Sequence, residues 1–278
     1  MAKKTSKKTG KESPALVTVP DVFALLTQPG KSPVHEQIIE WGEANSLLPE
    51  ELSGEKPDSG PLLREPAPKA IISQSSASTR ENAETDSFEK IARDISSCKA
   101  CELWCTRTNI VPGEGNHRAL LVLIGEAPGA DEDASGRPFV GRAGQHLDKI
   151  LKAAGFQRED LFICNILKDR PPENRAPTLE EMKACTPFLR RQLALIQPRL
   201  LGLLGNTAVK YAIGKDAEGI TKIHGQWFDS IFGIPTMPLY HPSYLLRNQS
   251  RAQGSPNWQM WQDIQILKKR FDELNVAL

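Results

Sequence analysis

No run of about 18 apolar residues occurs in this chain, which excludes an ordinary membrane-spanning helix. The N-terminus, MAKKTSKKTGKESP, is basic but lacks the apolar stretch of a secretory signal, so the cytoplasm is the expected location. An excess of one charge sign is missing as well. Lysine and arginine total 35 against 34 aspartates and glutamates, a net charge of +1, so any nucleic-acid-binding face must be a local patch offset by acid elsewhere. Cysteine is scarce, five in 278 residues. In a reducing compartment these are not expected to pair as structural disulfides, which leaves metal binding or core packing. What is present, 39% hydrophobic and 25% charged residues, is the make-up of a globular protein of one ordinary domain, with or without an appendage.

Residues 1–86 read differently from the rest. Lys3, Lys4, Lys7, Lys8 and Lys11 form a basic arm, either a solvated tail or a weak tether to phosphates. Two short helices are predicted at 21–28 and 34–47, the second amphipathic around Ile38, Ile39 and Trp41. From Pro49 to about Asn82 the composition turns to Pro, Ser, Glu and Lys, which buries too little apolar surface to order itself and reads as a linker. A second region, 87–278, is expected to hold the folded domain.

There the pattern alternates. Apolar runs with strand character lie at 119–124, 161–167, 200–204 and 234–240. Helical patterns fall at 87–97, 145–154, 179–196, 207–213 and 258–274. Leucine-rich and β-branched strands alternating with helices predict a three-layer α/β/α sandwich around a short, mostly parallel sheet. Ligands in such folds sit at the carboxyl ends of the strands, and the unusual residues of this chain fall there.

After the first run comes Gly125-Glu126-Ala127-Pro128-Gly129-Ala130-Asp131-Glu132-Asp133, then Gly136-Arg137-Pro138-Phe139-Val140-Gly141. Glycines at a strand end let backbone N–H groups approach a ligand, and neighbouring carboxylates suit acid–base or electrostatic work, though a solvated acidic loop has the same composition. The segment matches neither the GxxxxGK[ST] phosphate loop nor the GxGxxG dinucleotide pattern. After the second run stand Asn165, whose amide can both donate and accept at a pyrimidine edge, and Lys168-Asp169-Arg170-Pro171-Pro172-Glu173-Asn174-Arg175. The prolines and arginines describe a stiff basic loop, suited to phosphates and equally to plain surface. After the last run comes His241-Pro242-Ser243-Tyr244-Leu245-Leu246-Arg247, in which the leucines either enter an apolar partner such as a base stack or pack under the final helix.

These segments, in this order, resemble the uracil-DNA glycosylase superfamily, and specifically its family 4, the thermostable iron–sulfur type. That family carries GE-small-PG with following acidic residues, PF-aliphatic-G, N-x-x-K-x-RPP-x-NR and HP-x-x-LLR, and all four motifs are present from Gly125 to Arg247. The resemblance extends from about Cys98 through the C-terminal helix and leaves out residues 1–86. It implies hydrolysis of the N-glycosidic bond of deoxyuridine in uracil-containing DNA, the start of base-excision repair, by an enzyme that flips its target nucleotide. Phe139 would stack on the uracil, Asn165 would read its O4 and N3 edge, and His241 would donate to O2 of the leaving anion, helped by backbone near Glu126 and Ala127. Glu132 would exclude the thymine methyl, and Glu126 would position water or stabilise the positive charge developing on the sugar. Leu245 or Leu246 would fill the gap in the duplex, with Arg247, Arg170 and Arg175 on phosphates. A monomer is expected. Competing readings are a glycosylase for other deaminated bases, a tight uracil-DNA binder with poor turnover, and a non-catalytic iron–sulfur protein that binds DNA or senses redox state.

The resemblance also implies a structural [4Fe–4S] cluster. Cys98 and Cys101 form the CxxC and Cys185 matches a downstream ligand, but Asp169 stands where the family has its fourth cysteine. Three readings stay open: Asp169 ligates iron through its carboxylate; Cys105 substitutes, if the helix continues and brings Cys98, Cys101 and Cys105 onto one face; or the cluster is labile or absent, or the three thiolates hold zinc. Cys164 precedes Asn165 on a strand, points to the opposite face and reads as a core residue.

Overall fold

The computed structural model describes residues 86–214 and 216–276. The basic arm, the two N-terminal helices and the linker read from residues 1–85 lie outside the described residues. The chain begins in helix α1 (Phe88–Ser97), where the Ser87 hydroxyl accepts from the Lys90 N–H and Ile91 and Ile95 face inward. A two-residue edge strand β1 (Glu114–Gly115) leads to β2 (Leu121–Gly125). Helices α2 (Ala130–Ser135) and α3 (Arg142–Ala153) precede β3 (Phe162–Asn165). The long α4 (Leu179–Ile196) precedes β4 (Leu200–Leu204), followed by α5 (Asn206–Ala212) and α6 (Ile220–Ile223). Strands β5 (Phe228–Asp229) and β6 (Pro235–Leu239) lead to α7 (Pro242–Arg247) and the closing α8 (Pro256–Val276).

The sheet order is β1-β3-β2-β4-β6-β5. Its four central strands are parallel, and the two short edge strands are antiparallel to their neighbours. Strands β2, β3 and β4 are buried at every position, as parallel strands covered on both faces must be. Helix α1 packs on α4, while α3 packs on α7 and α8, and α5 and α8 reach the sheet at β4 and β6. This is the expected α/β sandwich, with the strand and helix runs displaced by a few residues at most. Helices α2, α6 and α7 and both edge strands are too short for a periodic signal, and the sequence reading omits them. The chain leaves β2 for β3 on one side and returns to β4 on the other, which opens a crevice at the carboxyl ends of β2 and β4.

Ion pairs tie α4 to α1 and fix the start of α4. Arg191 on α4 holds Asp94 of α1 (2.6 Å) and Asp86 just before it (2.6 Å). Glu181, in the first turn of α4, accepts from the Thr178 N–H (2.8 Å) while its own N–H donates to the Thr178 hydroxyl (3.2 Å), a capping box. Arg175 donates to both carboxylate oxygens of Glu181 (2.6 and 2.9 Å) and is the main reason its pKa is held down to about 2.

A carboxylate so depressed adds stability above its unfolded pKa of about 4.3, and that contribution is lost as pH falls from there toward 2. Glu181→Gln is therefore expected to lower Tm at neutral pH and to flatten the fall of Tm below about pH 4. Thermal melts of both proteins across that range check it; parallel curves would refute it.

Candidate active site

The carboxyl end of β2 is tight because Gly125 has no side chain. A methyl there would meet the Phe139 ring (2.6 Å to Cζ) and overlap the Asn165 carboxamide. Backbone, amide and aromatic ring are thus in direct contact at one point. Asn165, the last residue of β3, is 2% exposed, and its Oδ1 has no hydrogen-bond partner. Such an acceptor costs free energy until a donor arrives, and in a cleft this marks a place for a ligand. Its backbone is held from below: the wholly buried Lys168 ammonium donates to the Asn165 carbonyl (2.8 Å) and the Pro112 carbonyl (3.2 Å). Burial pushes the Lys168 pKa down.

Phe139 is 6% exposed and sits at φ 53°, a left-handed conformation unfavourable for an aromatic residue. Two features hold it there. Gly144, in the first turn of α3, lies so close that any Cβ would overlap the Phe139 carbonyl. Glu132 spans the loop: its carboxylate accepts from the Gly129 N–H (3.0 Å), the Val140 N–H (2.9 Å) and the Gly141 N–H (2.9 Å). The acidic run is therefore no solvated loop. It opens α2, and Asp133 is buried, accepting from the Thr108 and Asn109 N–H groups (2.8 and 3.3 Å).

His241 follows β6, its ring centroid 6.0 Å from that of Phe139 and its Cβ against Gly205 at the end of β4. Burial, then the nearby Arg247 cation, pushes its pKa down to about 4, so the ring is neutral at physiological pH. The Ser243 N–H donates to Nδ1 (3.2 Å), with the Ser243 hydroxyl 2.8 Å from the same atom. Nδ1 must then carry the lone pair, and the ring proton sits on Nε2 as a donor.

Sequence reasoning brought Phe139, Asn165 and His241 to strand ends, and the structure gathers them. Glu126 and Ala127 continue from Gly125 and are half-buried; Ala127 packs on a small cluster of Leu103, Leu167 and Cys185. The residues expected on the DNA side divide by burial and by partner. Leu245 is 1% exposed in the main core, because α7 turns it under, whereas Leu246 is half-exposed and Arg247 is exposed. Arg175 is spent on Glu181, and Arg170 donates to the Asn174 side chain (2.8 Å). Ser243 and Lys168 were missed as functional residues. A serine two positions after a histidine is a recognisable turn signal, while nothing marks a lysine inside a basic loop as buried.

Helix α1 stops at Ser97, and Cys98 and Cys101 are both extended. Cys105 ends a separate 3₁₀ turn and is exposed, so the single-helix face that would align it with Cys98 and Cys101 does not form. Cys101 packs against the cluster containing Cys185, where burial pushes the Cys101 thiol up and the Cys185 thiol up to about 12. Both Asp169 oxygens are taken by Arg107 Nη1 (3.1 and 3.0 Å); burial raises this carboxyl more than the arginine lowers it. Among the described residues no group of three or more His, Cys, Asp or Glu gathers as metal ligands. Cys98, Cys101, Cys185 and Asp169 nonetheless share one corner: Cys101 has Asp169 and Cys98 as electrostatic neighbours and Cys185 has Asp169 and Cys101, while Arg107 occupies the Asp169 carboxylate. Cys164 is a core residue, as expected.

Residues 112–265 match the model of the uracil DNA glycosylase superfamily. A type-4 uracil-DNA glycosylase of Thermotoga maritima is 46% identical over 163 residues, 59% of this chain and 85% of the relative. One from Sulfurisphaera tokodaii is 41% identical over 194 residues, 67% of this chain and 88% of the relative. A third, from Saccharolobus solfataricus, is 42% identical over 170 residues, covering 59% and 79%.

The close approach of α3 to Phe139 makes Gly144→Ala a sharp test of the site's packing. It is expected to destabilise the fold by about 1–3 kcal/mol through overpacking and to release the strained Phe139 backbone. Denaturant titration measures the loss, and an unchanged midpoint would contradict the packing described.

Proposed function

The chain belongs to the uracil DNA glycosylase superfamily, of the type-4 kind, and on that premise we propose how its residues hydrolyse the N-glycosidic bond of deoxyuridine in DNA. The observation that carries the reading is the unpartnered Asn165 Oδ1, buried beside the Phe139 ring and the neutral His241. Uracil offers a donor at N3 and an acceptor at O4; Asn165 accepts from the first with Oδ1 and donates to the second with Nδ2. Cytosine presents the reverse at both positions, leaving buried groups unpaired at a cost of about 1–3 kcal/mol each. Phe139 stacks on the flipped base.

The bond between N1 and C1′ breaks with its electron pair leaving on uracil, and the sugar becomes oxocarbenium-like. His241 donates from Nε2 to O2 of the departing anion, its tautomer set by Ser243. Water held by Glu126 adds its oxygen to C1′, leaving an abasic sugar and releasing a proton. Glu132 acts through the loop it spans: by fixing Val140 and Gly141 it sets the wall beside Phe139, and that wall excludes the thymine methyl. On the DNA side, Leu246 fills the vacated stack and Arg247 meets a phosphate, with Arg170 a second phosphate contact and Arg175 held back by Glu181. The enzyme works as a monomer in the cytoplasm, as the first step of base-excision repair. A [4Fe–4S] cluster, if carried, would rest on Cys98, Cys101 and Cys185; none of these steps passes through it.

On an oligonucleotide with one uracil, Asn165→Ala is expected to lose about 10–100-fold in kcat/KM while retaining DNA binding. His241→Ala is expected to lose about 100–1,000-fold in kcat. No excision by the wild type on single strands or on U·A and U·G pairs would reject the reading.

Because His241 is already neutral above about pH 4, the single-turnover rate should show no limb near the usual histidine value of about 6.5. A limb there that disappears in His241→Asn would mean the imidazolium is the working form.

A further inference from the structure

Arg107 joins three separate pieces of chain. Its Nη1 donates to both oxygens of Asp169, which is 4% exposed, and to the Ile95 carbonyl (3.3 Å); its Nη2 donates to the Ser96 carbonyl. Ile95 and Ser96 belong to the last turn of α1, which has no basic residue of its own; the Ile95 carbonyl also accepts from the Cys98 N–H (3.1 Å). One guanidinium therefore neutralises a buried carboxylate in the segment after β3 and caps the helix that ends beside Cys98.

These are segments that a cluster held by Cys98, Cys101, Cys185 and residue 169 would cross-link. A carboxylate with both oxygens on one arginine must give up that arginine before it can hold iron, and the partly buried guanidinium would then keep only the Ile95 and Ser96 carbonyls as partners next to the metal. Leu103, Leu167 and Cys185 form an apolar cluster at this corner, with Cys101, Met182 and Ala127 packed against it.

We propose that the Arg107–Asp169 ion pair replaces the fourth ligand as the cross-link of this corner, so that the fold here does not depend on a four-ligand iron–sulfur cluster. The inference rests on the ion pair and the carbonyls it engages. Its readouts are independent of uracil excision, so it and the proposed glycosylase activity can fail separately.

The experiment uses the full chain purified without oxygen, with iron per chain, visible absorbance and Tm recorded before and after treatment with an iron chelator. Tm of the wild type is expected to be unchanged by chelation. Asp169→Asn and Arg107→Met are each expected to lower Tm by about 10 °C, the double variant no further than either single one. Asp169→Cys is expected to gain iron and visible absorbance relative to the wild type. Four irons per wild-type chain, lost in Asp169→Asn together with the absorbance, would make Asp169 a ligand and overturn the proposal. So would a chelator-induced fall in Tm as large as that of the variants. If the single variants do not fold, the chelation result on the wild type still decides.

Discussion

A parallel strand buried on both faces has nowhere to put a polar side chain except its end, and the site follows from that constraint. Strands β2, β3 and β4 are apolar along their lengths, and Asn165 enters where β3 stops. Because the three strands are in register, Gly125, Asn165 and the Leu204–Gly205 end of β4 reach one level, and His241 arrives there from β6. Close approach does the rest. Glycine at 125, 144 and 205 lets the Asn165 amide, the Phe139 backbone carbonyl and the His241 Cβ lie against backbone that a side chain would push away.

Groups behind the pocket fix what groups inside it can do. Lys168 holds the Asn165 carbonyl, Ser243 holds one nitrogen of His241, and Glu132 gathers three N–H groups of the loop that carries Phe139. Each of these partners is short of freedom, through burial or through several simultaneous hydrogen bonds. A pocket so braced need not reorganise when charge develops on a leaving base, which is the condition for electrostatic catalysis.

The cysteine corner and the pocket are joined through Ala127, which follows Glu126 and packs on the cluster holding Cys185. Whatever fastens that corner also supports the loop after β2. In this chain the visible fastening is ionic, Arg107 to Asp169, with Lys168 immediately before Asp169 reaching back to Asn165.

The sequence by itself determined the α/β class, the order of strands and helices and the three chemical segments, because hydrophobic period and strand-end punctuation are local properties. Phe139, Asn165 and His241 were legible for the same reason: each stands in a distinctive short motif after an apolar run. Only the tertiary structure decided which leucine of Leu245-Leu246 is core, since the rotation of about 100° between successive helical residues separates a buried from a half-exposed position. It also decided that Arg175 belongs to Glu181 and that Cys105 is not aligned with the other cysteines. The partner of Asp169 lies 62 residues away, and no local pattern can announce a pairing made by burial across that distance.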